Sequence, residues 1–209
     1  MIQVKICGIT NAADALAAID AGANLLGFNF YEKSPRHITE AEAAKIRPRL
    51  PKKVGAVGIF VNSPPAGVAA LCKSLKLDTA QLHGDEPPDT VAELARKLAV
   101  WKAFRVEPDF RLETLDEYPE ASAYLFDAAH TGQYGGTGRT TDWDVARRAA
   151  LGHRIILAGG LNIENVAAAV RIVRPYAVDV ASGVESKPGK KDHGRMREFI
   201  QEVRRGERK

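Results

Sequence analysis

Eight short apolar runs recur along this chain at intervals of roughly 25 residues, each followed by a helical pattern, and no Pro, Gly or Ser-rich linker breaks the series. That interval is the length of one strand, turn and helix unit, so the repeat restricts the chain to parallel-sheet architectures before any single residue is weighed. The runs fall at 2–7, 25–30, 54–61, 79–83, 99–104, 123–127, 154–158 and 177–181. Right-handed crossovers put every helix outside one parallel sheet, and eight units in 209 residues close most simply into a single α/β domain over 1–209, a (β/α)8 TIM barrel. A doubly wound open sheet is the alternative.

The segments between the runs carry helix signals. Ser63 is expected to cap the helix after the third strand, with Pro64 and Pro65 in its first turn and Val68, Leu71, Cys72 and Leu75 as its buried stripe, which makes Cys72 a core residue. Val91, Leu94, Ala95 and Leu98 repeat the stripe behind Pro87 and Pro88, and Val166, Ala169, Val170 and Val173 repeat it behind Asn162. Thr39 and Glu42 have the spacing of a capping box.

Composition excludes several classes. Hydrophobic residues at 45% and charged residues at 27% are ordinary globular usage and argue against disorder. No apolar run approaches the roughly 18 residues of a membrane span, and the start MIQVKICG lacks signal-peptide features, so a cytoplasmic protein without membrane contact is expected. Two cysteines, Cys7 and Cys72, suffice for neither a disulfide framework nor paired zinc ligands. The net charge of +4 comes mostly from the end of the chain, KPGKKDHGRMREFIQEVRRGERK, read here as a solvated helix with a fraying basic tail rather than a nucleic-acid surface.

In a barrel, function belongs to the carboxyl ends of the strands and the loops after them. In the first strand Ile2, Val4 and Ile6 share the face that helices cover, which turns Gln3, Lys5 and Cys7 inward, with Cys7 at the top. The same parity turns Asp127 inward at the top of the sixth strand, Gln81 and His83 on the fourth, and Asp179 on the eighth. The long loop AAHTGQYGGTG after Asp127 suggests a cover over a ligand. His83 is expected to be satisfied by the Gly84-Asp85 turn. Lys5, Lys102 and Asp179 are expected to neutralise one another inside the barrel, with direct catalysis the competing role. Trp101 and Trp143 read as packing residues.

Three glycine clusters accompany the later strands: Gly135, Gly136 and Gly138, then Gly159 and Gly160, then Gly183. Glycine lets backbone N–H groups converge on an anion, and the ends of the seventh and eighth strands are the common phosphate site of such barrels. A small phosphorylated ligand follows. Arg36, after the second strand, is placed across the mouth from that site, where a guanidinium suits a carboxylate at the ligand's other end.

The motifs KICGIT, FYEKSPR, GIFVN, QLHGDE, LFDA with GGTG, LAGGLN, and DVASGVE with KPGKKD, in that order from Val4 to about His193, resemble the phosphoribosylanthranilate isomerase family of tryptophan biosynthesis. The resemblance implies a (β/α)8 barrel that performs an Amadori rearrangement without cofactor or metal. By it Cys7 is the general base and Asp127 the general acid, Arg36 holds the anthranilate carboxylate, and Gly160 with Ser182 and Gly183 help hold phosphate. Gly136, Gly159 and Asp179 complete the candidate substrate contacts. Lys5, lower on its strand, is not assigned the task of lowering the Cys7 pKa. A monomer or homodimer with no nucleic-acid partner is expected. The alternatives are the histidine-pathway isomerase, which expects aspartate at both catalytic positions, and a noncatalytic basic binding module.

Overall fold

The computed structural model describes residues 1–107, 109–128 and 142–208. All eight expected strands form: β1 (Gln3–Cys7), β2 (Leu25–Asn29), β3 (Gly55–Phe60), β4 (Thr79–Leu82), β5 (Ala99–Val106), β6 (Ala123–Ala128), β7 (Ile155–Leu157) and β8 (Ala177–Val180). They pair in parallel in sequence order, and β8 returns to β1 with Lys5 opposite Asp179, so the barrel is closed and the open-sheet alternative falls away.

Strand parity produces two apolar layers. The outward residues, Val4 and Ile6 on β1 and Tyr124 and Phe126 on β6, join the core between sheet and helices. The inward residues Val57, Trp101, Leu125 and Ile156 fill the barrel with a smaller cluster of their own. Val4 and Ile6 are fully buried, each worth about 1.5–3 kcal/mol on the usual scale for aliphatic side chains. Trp101 is thus the packing residue its position suggested.

Seven α-helices are present among the described residues: α1 (Ala12–Ala21), α2 (Glu40–Ile46), α3 (Pro65–Leu75), α4 (Pro88–Ala95), α5 (Trp143–Ala149), α6 (Val166–Val173) and α7 (His193–Glu207). The Thr39 and Glu42 capping box forms as expected at the start of α2. Ser63 does not cap α3: the cap is Pro64, with φ −57° and ψ 132°. The residue before a proline is driven out of the helical region, so Pro65 forbids a helical Pro64 and moves the start one place along. Between β5 and β6 the expected helix is replaced by a short 3-10 segment, Leu112–Glu117, in which Leu115 is the buried residue. One buried leucine ahead of Pro119 is too little apolar face to hold a full helix.

The basic carboxyl-terminal segment is not a fraying tail. Met196, Phe199, Ile200 and Val203 of α7 are buried, and Arg204 Nη1 donates to the Ile2 carbonyl at 2.7 Å. Ahead of it an antiparallel hairpin of β9 (Glu185–Lys187) and β10 (Lys190–Lys191) pairs Glu185 with Lys191 past a register shift at Lys190.

Candidate active site

Cys7, Arg36, His83, Asp127, Gly159, Gly160, Asp179 and Ser182 line one cavity at the carboxyl ends of the strands. The site is therefore assembled from the places that strand parity and loop position indicated. Gly136, like Gly135, Gly138 and most of the loop after β6, lies outside the described residues.

On the β1 side, Lys5 is completely buried and its Nζ donates to Asp179 Oδ2 at 2.9 Å. Burial pulls the Lys5 ammonium down, but Asp179 and Cys7 more than offset this and hold it above the ordinary lysine range. For Cys7 burial prevails and pushes the thiol up, with Asp179 adding to the rise while Lys5 and Lys191 oppose it. Lys5 acts on the sulfur by charge and by a hydrogen bond, the task not assigned to it from sequence. Residues two apart on a strand share a face, and the long lysine stem carries its charge up to the residue above.

The expected neutralising trio is only a pair. Lys102 instead donates to Glu86 Oε2 at 2.9 Å and to the Gly84 carbonyl at 2.7 Å, on the β4 and β5 side of the barrel. Asp179 keeps its second oxygen, Oδ1, buried and without a hydrogen-bond partner among the described residues. A buried carboxylate oxygen left open is costly unless something else meets it, which keeps substrate contact by Asp179 in play.

Opposite, His83 is not satisfied by its adjacent turn. Its Nε2 lies 3.2 Å from Asp127 Oδ2, and its Nδ1 lies 2.8 Å from Gln81 Nε2. With Gln81 donating to Nδ1, the proton of a neutral His83 sits on Nε2 and points at the Asp127 carboxylate. The ring thus fixes the rotamer of Asp127 at the rim of β6.

The glycine turns after β7 and β8 are welded together. Gly159 and Gly160 adopt φ of 77° and 64°, the left-handed region that glycine occupies without strain. A Cβ on Gly183 would stand 2.1 Å from the Leu161 carbonyl oxygen, so the β8 loop packs directly on the β7 loop. Two glycine-containing backbone segments brought this close make a wall suited to a phosphate.

Arg36 is not across the mouth from that wall. Closure of β8 onto β1 brings the β2 and β8 loops to neighbouring positions, and the guanidinium binds Glu185, just past Ser182, through Nε to Oε1 at 2.9 Å and Nη2 to Oε2 at 2.8 Å. Sequence reasoning missed Glu185 and its second partner Lys191, whose Nζ reaches Glu185 Oε1 at 2.8 Å. It also missed Asp14, which accepts from the Lys191 backbone N–H at 2.9 Å and from His193 at 2.8 Å. Burial pushes the Asp14 carboxyl up, but those hydrogen bonds win and hold it below its ordinary range. The KPGKKD motif was the available signal; its lysines look solvated from sequence because nothing local pairs them.

Residues 4–202 match the family described as N-(5'phosphoribosyl)anthranilate (PRA) isomerase. The chain is 52% identical over 205 residues to a protein of Trichlorobacter lovleyi named N-(5'-phosphoribosyl)anthranilate isomerase, covering 98% of each. It superposes with a TM-score of 0.91 and 41% identity on phosphoribosyl anthranilate isomerase from Thermotoga maritima, covering 98% of this chain and 99% of that one. A further solved structure, at 40% identity and a TM-score of 0.88 over 98% of this chain and 99% of that one, is phosphoribosyl anthranilate isomerase in complex with reduced 1-(o-carboxyphenylamino)-1-deoxyribulose 5-phosphate.

Proposed function

The chain belongs to the N-(5'-phosphoribosyl)anthranilate isomerase family, and from that premise we propose how its rim residues divide the work. The reaction is the conversion of N-(5'-phosphoribosyl)anthranilate to 1-(2-carboxyphenylamino)-1-deoxyribulose 5-phosphate, the isomerisation step of tryptophan biosynthesis. One observation carries the division of labour: Cys7 and Asp127 face a single cavity from different strands, with glycine turns and a guanidinium at its edges.

Asp127 is the general acid. It gives a proton to the ring oxygen as the C1–O bond breaks, leaving an iminium at C1. His83 holds the carboxyl in place for that transfer. Cys7, as thiolate, then takes the proton from C2, and the electrons of that bond neutralise the iminium to give an enolamine. The enolamine takes a proton at C1 while its C2 hydroxyl proton is released to water, which leaves the 2-ketone. Lys5 and Lys191 favour the thiolate against the burial that disfavours it.

Positioning comes from the two ends of the substrate. The backbone at Gly159, Gly160, Ser182 and Gly183 receives the phosphate, Arg36 receives the ring carboxylate, and Asp179 Oδ1 accepts from a sugar hydroxyl. Fixing both ends places C1 and C2 between acid and base, which converts tight binding into orientation. The histidine-pathway isomerase is the weaker reading because position 7 is a cysteine.

The test is product identity. Incubation with freshly made phosphoribosylanthranilate followed by borohydride should trap the reduced carboxyphenylamino-deoxyribulose phosphate. Recovery of anthranilate and ribose phosphate alone, the products of spontaneous hydrolysis, would refute the assignment.

A further inference from the structure

Neither Glu185 nor Lys191 gives or takes a proton in the reaction, yet both are buried charged residues, 7% and 2% exposed. They face each other across the β9–β10 hairpin, which carries the KPGKKD motif. The hairpin tip is fitted to the loop that bears Arg36: Gly189 has φ 78°, and a Cβ there would lie 2.8 Å from the Pro35 carbonyl oxygen. Thr10 Oγ1 donates to the Gly189 carbonyl at 2.7 Å and closes the same junction.

A guanidinium carries five N–H donors in a fixed plane. Glu185 occupies one edge of Arg36, through Nε and Nη2. The other edge, between Nη1 and Nη2, retains the geometry that a second carboxylate accepts in bidentate fashion. The arginine stem is pinned beneath, since a Cβ on Gly8 would lie 2.7 Å from Arg36 Cδ, and the Arg36 backbone N–H donates to Ser34 Oγ at 3.1 Å. An Arg–Glu pair by itself is neutral, and its carboxylate repels an incoming anion. Lys191 changes that balance. Its Nζ contacts Glu185 Oε1, the oxygen that also takes Arg36 Nε, and is anchored on the Ala181 carbonyl at 3.1 Å.

We propose that Glu185 and Lys191 are positioning residues of a carboxylate clamp: Glu185 fixes Arg36 edge-on so that its free edge meets the anthranilate carboxylate, and Lys191 cancels the Glu185 charge so that the cluster keeps one net positive charge for that anion. Burial weakens the proton affinity of Lys191, and the Glu185 contact restores part of it. The proposal rests on Arg36 being the carboxylate anchor, and it explains why a site for a carboxylate tolerates a buried glutamate against its arginine.

The test compares calorimetric affinities for two ligands: reduced 1-(o-carboxyphenylamino)-1-deoxyribulose 5-phosphate and the same molecule with an unsubstituted phenyl ring. Lys191→Met should weaken the carboxylated ligand by at least about tenfold and leave the phenyl ligand within about twofold. The double variant Lys191→Met with Glu185→Gln removes both charges and restores one net positive charge, so it should recover part of the lost affinity, the remainder being the grip on Arg36 that Gln, with a single accepting oxygen, does not supply. A purely structural lysine would not give that recovery. Where Lys191→Met does not fold, Lys191→Gln takes its place. Equal losses for both ligands, or a folded double variant no better than the single one, overturn the clamp while a carboxylate-selective loss in Arg36→Met leaves the anchor standing. If Arg36→Met itself loses both ligands equally, anchor and clamp fall together.

Discussion

His83 Nε2 lies 3.2 Å from Asp127 Oδ2 although His83 follows the end of β4 and Asp127 lies on β6, two strands that are not neighbours. A hydrogen bond that bridges over β5, backed by Gln81 on the far side of the ring, fixes the carboxyl of Asp127 at the edge of the cavity. The acid of the proposed mechanism is therefore held by side chains as well as by its strand.

Asp127→Asn keeps the shape and removes the transferable proton. It should lower kcat by at least the roughly 10²-fold typical of a positioned acid, with the affinity for inorganic phosphate nearly unchanged. His83→Ala should cost less, because it loosens an acid that is still present. Steady-state kinetics on both variants check this ordering, and a larger loss in His83→Ala would move the proton donor from Asp127 to His83.

Removing Lys5 should move the pH dependence in a direction fixed by its sign. Lys5 lowers the pKa of the Cys7 thiol and Asp179 raises it, so Lys5→Met takes away the first and leaves the second opposed by Lys191 alone. The acidic limb of kcat/KM, where activity rises as thiolate forms, should shift to higher pH. An unshifted limb in folded protein would separate that limb from Cys7.

Cys72 makes the contrasting case, a thiol that serves only packing. Burial pushes it from its ordinary value of 9.0 to about 12. Between those values the unfolded chain loses the thiol proton while the folded chain keeps it, so this group's stabilisation is whole below pH 9 and is lost as the pH rises toward 12. Cys72→Ser puts a hydroxyl on the buried face of α3 and should cost on the order of 1–3 kcal/mol near neutrality with little effect on kcat. Urea titrations of both proteins should show that deficit shrinking above pH 9. A deficit that stays constant to pH 11 would contradict the burial of this thiol.

Arg36→Met removes the guanidinium and keeps an apolar stem over Gly8. Substrate KM should rise with the fold intact, and the loss should be smaller for an analogue lacking the ring carboxylate. Equal losses would mean that Arg36 serves Glu185 alone.

What could be read from the chain was whatever repeats or alternates locally. The period of the apolar runs marks eight strands, and the parity of Val4 and Ile6 against Lys5 and Cys7 puts Cys7, the proposed base, inside the barrel. The Thr39 and Glu42 box was equally legible because both partners lie within one turn. Pairings between distant segments were not. Arg36 and Glu185 are separated by 149 positions, and their contact exists only because β8 closes onto β1. Lys191 resembled its solvated neighbours, and Lys102 found Glu86 rather than Asp179, since a charge on a strand has several partners within a barrel and only the three-dimensional register chooses among them.

The central claim is that Cys7 and Asp127 together convert phosphoribosylanthranilate, and the loss of anthranilate-type fluorescence on adding enzyme to freshly made substrate tests it most directly. The wild-type protein should quench the signal in proportion to its concentration. Cys7→Ser, nearly equal in volume but a far poorer base, should lower kcat much more than it changes KM, and the Cys7→Ser, Asp127→Asn double variant should leave only the spontaneous rate. Wild-type turnover persisting in the folded double variant would contradict the account.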